Sequence, residues 1–107
     1  PCRLEAGPLK DATDWLETRL ASPTKGALHL IFHTVAWQYF PPATQSRALA
    51  AVEAAGKANP LARLSMEADG QSPGAAVTVT LWPGSKTIPL GRADFHGRWV
   101  DWQAPPP

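Results

Sequence analysis

The chain has 107 residues, 44% hydrophobic and 18% charged, which bounds it to one compact domain or a piece of one and argues against intrinsic disorder. Ten Lys and Arg against nine Asp and Glu leave a formal charge of +1, so no polyanion-binding surface is advertised and no nucleic-acid partner is expected. The single cysteine, Cys2, excludes an internal disulfide framework and a Cys-rich zinc site.

No apolar stretch approaches the ~20 residues needed to cross a bilayer, so no membrane partner is expected. Nothing reads as a signal peptide, and with a lone thiol the expected location is cytoplasmic. The chain opens on Pro1 rather than Met, which reads as a start partway through a longer parent. The expected layout is a single α/β domain over residues 1–104, the C-terminal portion of a longer protein, and a flexible proline tail at 105–107.

In chain order, Cys2 to Pro8 reads as a short edge strand ending at the Gly7-Pro8 turn. Asp11 to Leu20 reads as a helix, capped by Asp11 or Thr13, with Arg19 placed to suit the macrodipole. Ala27 to Val35 is the strongest strand signal. It is nearly continuously apolar, which predicts a strand covered on both faces, as in a parallel sheet. Pro41-Pro42 then opens a helix predicted to run from Pro42 to Ala58, with Leu49, Val52 and Ala55 on one stripe. Gly56, Asn59 and Pro60 are read as its end.

Leu61 to Ala68 is a second strand and Asp69 to Gly74 a loop. Ala75 to Trp82 alternates, Pro83-Gly84 turns the chain, and Lys86 to Asp94 returns, with Pro89 marking an edge or irregular position. His96-Gly97 turns into Arg98 to Trp102. The predicted fold is therefore α/β: a strand-helix-strand unit followed by an antiparallel β-meander.

Residues Leu28 to Pro42 resemble the strand-loop-helix of the second half of class I, Rossmann-like methyltransferase domains. Leu64 to Glu67, together with the ending Gly91-Arg92-Ala93-Asp94-Phe95-His96-Gly97-Arg98-Trp99-Val100-Asp101-Trp102, is similar to the C-terminal part of the bacterial domain of unknown function 2332 family. The resemblance covers roughly Leu4 to Trp102. It implies an uncharacterised bacterial protein with a methyltransferase-like half domain. The glycine-rich turn that would hold a cofactor's methionine moiety is missing, and Gly7-Pro8 stands where such enzymes often carry Gly-Asp. The resemblance thus implies no cofactor in this chain, and S-adenosylmethionine for the longer parent.

His33, at the carboxyl end of the first central strand, reads either as a general base or substrate ligand, or as a partly buried histidine bonded to a neighbouring loop. His29 shares its face but lies about 13 Å away along a straight strand, so the two cannot chelate one metal; no metal is expected. Glu67 and Asp69 flank the end of the second strand, one crossover from His33. They are candidate acid–base partners or solvated loop acids. The candidate catalytic set is therefore His33, Glu67 and Asp69, with Trp37 and Tyr39 as candidate substrate walls. Asp94 and Arg98 are expected to pair across a turn, and Trp82, Trp99 and Trp102 are expected mostly in the core.

Whether the chain is an enzyme is left open by these residues. One reading is a methyltransferase-like fragment, contacting a small-molecule substrate but not catalytic alone. The alternative is a non-catalytic interaction module, a homodimer formed through an exposed sheet edge.

Overall fold

In a computed structural model the protein is described over residues 12–22 and 26–103. The expected first strand, Cys2, Asp11 and the proline tail lie outside these residues. Helix α1 (Ala12–Leu20) precedes strand β1 (His29–Thr34), a single 3-10 turn (Trp37–Tyr39) and helix α2 (Pro42–Ala58). Strands β2 (Leu61–Glu67), β3 (Ala75–Trp82), β4 (Lys86–Ala93) and β5 (Val100–Trp102) follow. One five-stranded sheet runs in the order β1-β2-β3-β4-β5. β1 and β2 are parallel neighbours joined through α2, and β2 to β5 form an antiparallel meander. The fold is mixed α/β, as the order of patterns predicts.

Pro42 opens α2 at its first helical position, where a missing N–H costs nothing, and Asn59 closes it by donating its N–H to the Ala55 carbonyl. The buried stripe is Ala48, Val52 and Gly56 rather than Leu49, Val52 and Ala55. The smallest side chains face the sheet, so the helix sits close to it and Leu49 turns outward. Gly56 is therefore not a stop signal. It lies inside α2 because the Trp82 ring occupies the place of its β-carbon: a Cβ there would overlap Cβ, Cγ and Cδ1 of Trp82.

Val52, Leu61 and Trp82 form the core, with Leu16, Leu20, Ile31 and Ala55 packed around them. Burying each large side chain contributes about 1.5–3 kcal/mol. Arg47 of α2 ties α1 down by reaching Asp14 at 2.7 Å and Glu17 at 2.6 Å. Thr13 does not cap α1. It lies within the helix, buried, and its Oγ1 has no hydrogen-bond partner.

Both helices cover the same face of the sheet, the one bearing Ile31, Leu61 and Trp82. The expectation that β1 is covered on both faces is therefore corrected: its burial alternates, and Leu30 and Phe32 are 56% and 52% exposed. The register continues this open face through Leu64, Met66, Val77, Val79, Leu81 and Ile88. The apolar run of β1 thus reflects two apolar faces, of which the described residues cover one.

The β3–β4 connection turns at Pro83–Ser85, with Ser85 at φ +51° and its hydroxyl on the Glu53 carboxylate of α2. Along the β3–β4 pairing the register shifts between Val77 and Thr78 of β3, which pair with Gly91 and Pro89 of β4. Leu90 is the extra residue, so Pro89 sits at a bulge, the irregular position its ring predicts. Trp82 is buried as expected. Trp99 and Trp102 are exposed, Trp102 by 65%.

Candidate functional site

β1 and β2 end side by side, His33 pairing with Ser65 and Thr34 with Met66. The carboxyl ends of parallel strands are where α/β sheets place ligand crevices. Here the chain leaves β1 through Val35, a β-branched residue at φ +48°. Such a conformation costs on the order of 1–3 kcal/mol and is held only where surrounding bonds determine it. Those bonds are visible. The Val35 N–H donates to the Met66 carbonyl at 2.8 Å. The next two amides, of Ala36 and Trp37, both donate to the Glu67 carboxylate, at 3.0 and 3.2 Å to Oε1.

The same carboxylate receives His33 Nδ1 at 2.6 Å. On the other side of the ring, Arg63 Nε donates to His33 Nε2 at 3.0 Å. A guanidinium N–H can only donate, so Nε2 is the acceptor and the imidazole proton resides on Nδ1. His33 is thus neutral, with both nitrogens engaged. Burial pushes its pKa below 6.5; the Glu67 hydrogen bond opposes this, and the Arg63 charge adds to it. Arg63 is also shifted down by burial, against the pull of Glu67.

Trp37 completes the cluster. Its ring lies against the His33 ring at 5.2 Å between centroids, and the Arg63 guanidinium carbon sits 4.6 Å from its own centroid. Phe40 meets Trp37 edge-on at 5.6 Å. Gln45 of α2 fastens the segment by donating to the carbonyls of Trp37 and Phe40 at 3.0 and 3.1 Å. Three elements therefore converge: β1 supplies His33, β2 supplies Arg63 and Glu67, and the 3-10 turn supplies Trp37.

Of the candidate residues, the structure brings together His33, Glu67 and Trp37. Tyr39 is on the same turn but 65% exposed. Asp69 belongs to a different cluster. Arg92 of β4 holds its carboxylate with two bonds of 3.0 Å and also donates to the carbonyls of Gln71, Pro73 and Gly74. That clamp lowers the Asp69 pKa to about 2 and fixes the β2–β3 loop. Asp94 and Arg98, expected to pair across a turn, meet through the Arg98 backbone amide: the Asp94 carboxylate accepts the amides of His96 and Arg98 at 3.0 and 3.1 Å. Among the described residues no group of three or more His, Cys, Asp and Glu could hold a metal ion, and no helix is long and apolar enough to cross a membrane.

Sequence reasoning missed Arg63. The available signal was a lone charge between Ala62 and Leu64 in the second strand. Its alternation with Ser65 and Glu67 places all three on the helix-covered face, beside His33.

The model of a family described as "Uncharacterized protein conserved in bacteria (DUF2332)" matches residues 3–102. The chain belongs to that family. No curated protein and no solved structure matches it. Membership spans both the cluster and the meander, so the His33–Glu67–Arg63–Trp37 arrangement lies wholly within the family's matched region.

Proposed function

We propose that this chain is the ligand-contacting portion of a larger, methyltransferase-like α/β domain, holding part of a small-molecule substrate without performing chemistry alone. The observation that carries this reading is the engagement of both His33 nitrogens, Nδ1 by Glu67 and Nε2 by Arg63. A general base needs a free lone pair within reach of the substrate proton. In this arrangement His33 and Glu67 act as positioning residues, aligning Arg63 and Trp37 at the end of the parallel strands.

The residues here do not fit S-adenosylmethionine. β1 is followed by Val35-Ala36-Trp37 rather than by a glycine-rich turn, and the amides of Ala36 and Trp37 are already spent on Glu67. The cofactor belongs, on this reading, to a longer parent. Calorimetric titration of the 107-residue chain with S-adenosylmethionine is expected to show no binding heat. Saturable binding would overturn the proposal.

A second reading rests on a separate observation, the open apolar face of β1 with Leu30 and Phe32 more than half exposed. Together with the outer edge of β1, unpaired among the described residues, it supports self-association of the chain. Sedimentation over a concentration series should then show a dimer that Phe32→Lys dissolves. A wild-type monomer at every concentration would sink this second reading and leave the first untouched.

A further inference from the structure

The geometry points to the outer fork of Arg63 as a binding site for a small-molecule oxyanion, a carboxylate or a phosphate, beside the Trp37 ring. This rests on the proposed ligand-contacting role of the cluster and names the chemistry it recognises.

Arg63 rises from β2 between Ile31 of β1 and Thr80 of β3, on the helix-covered face. Its Nε is spent on His33. Neither Nη has a protein partner among the described residues, and neither is sealed from solvent. Every oxygen of the nearest carboxylate in the network, Glu67, is committed to His33 and to the amides of Ala36 and Trp37. The guanidinium therefore meets a neutral imidazole and an aromatic face, but no bonded anion.

The contrast with other arginines is direct. Arg47 is matched by Asp14 and Glu17, and Arg92 by Asp69. Both of those cations are tied to carboxylates, Arg47 even though it is 54% exposed, where an unpaired charge costs least. Arg63 is half-buried and, among the described residues, is left without one. Burial lowers its pKa, as expected of a charge poorly compensated by its surroundings.

The fork is also held in place before any ligand arrives. The His33 bond fixes Nε and the Trp37 ring supports the guanidinium plane, so little rotamer freedom remains to be lost on binding. The two outward nitrogens present parallel N–H groups at the spacing of two oxygens on one carbon or phosphorus. Ser65 and Thr78, cross-strand partners one register step along the same face, add hydroxyl groups toward the strand ends.

The test is a titration of the nitrogen-15-labelled 107-residue chain, following the Arg63 Nε–H and Trp37 indole N–H resonances. Sodium acetate and inorganic phosphate are the two probes, with sodium chloride at matched ionic strength as reference. Both resonances should move saturably with at least one oxyanion, at millimolar concentrations; the stronger of the two responses separates carboxylate from phosphate. Arg63→Lys, which loses the fork, should weaken the response at least tenfold, and Arg98→Gln, on the exposed β4–β5 turn, should leave it unchanged. If Arg63→Lys does not fold, the wild-type titration decides alone. No movement beyond the chloride reference, with His33 still carrying its proton on Nδ1, would overturn the anion site and spare the proposed function. A His33 that lacks the Nδ1 proton in the free chain would overturn both.

Discussion

Replacing Glu67 by Gln tests the whole cluster with a change of almost no volume. The Glu67 carboxylate accepts hydrogen bonds from three donors: His33 at 2.6 Å, Ala36 at 3.0 Å and Trp37 at 3.2 Å. An amide has one acceptor oxygen. If that oxygen stays with the two backbone amides, the NH2 group faces the Nδ1 proton of His33. If it turns to His33, the NH2 faces the amides. Relief by moving the imidazole proton to Nε2 sets it against the N–H of Arg63 instead. One charge-assisted bond is lost in every arrangement, at about 1.5–3 kcal/mol, and a mismatched donor adds about 1 kcal/mol. His33 and Glu67 side chains are only 13% and 14% exposed, so water recovers little of this. The expected loss is therefore about 2.5–4 kcal/mol, read as a lower urea midpoint with an unchanged slope. Once His33 is replaced by Gln, Glu67→Gln should cost markedly less, because the two side chains share the bond being measured. A loss below about 0.5 kcal/mol, the scale of an exposed ion pair, would refute the reasoning.

Two further expectations follow from the same structure. The folded-state pKa of His33 lies below its ordinary value of 6.5, so the unfolded chain binds more protons between the two values and stability rises with pH there. The contribution is fully present above 6.5 and is lost as pH falls toward the depressed folded value; denaturation midpoints measured across this range should show the slope, and His33→Gln should remove it. Gly56→Ala gains about 1 kcal/mol of helix propensity but forces a methyl into the Trp82 ring, which overpacking places at about 1–3 kcal/mol in cost. A net loss of up to about 2 kcal/mol is expected by urea denaturation, and a stabilised variant would show that α2 lifts freely from the sheet.

Much of the fold is written in local chemistry. Pro42 and Asn59-Pro60 bound α2 at the residues where the helix begins and ends, and the alternation of Ala75 to Trp82 matches β3. These signals are legible because turn residues and side-chain period act within a few residues. The exposed half of β1 was not legible, since an apolar face looks the same in sequence whether or not something covers it. Gly56 misled for a related reason: nothing within α2 announces that Trp82, far along the chain, needs the space. In the cluster, His33 and Glu67 stood out as titratable groups at strand ends. Their direct bond depends on β1–β2 register and on the Val35 turn, and Arg63 enters only once both are known. Asp69 looked equivalent to Glu67 until Arg92, from a distant strand, claimed it.

The amides of Ala36 and Trp37 donate to a side-chain carboxylate instead of a main-chain carbonyl. Their protection from hydrogen exchange is therefore set by Glu67, not by the helix or sheet ladders on either side. Two adjacent backbone protons, in a segment that is neither strand nor α-helix, should exchange as slowly as their carboxylate partner remains in place. A ligand that draws His33 away from Glu67 would register there first, leaving the neighbouring ladders silent.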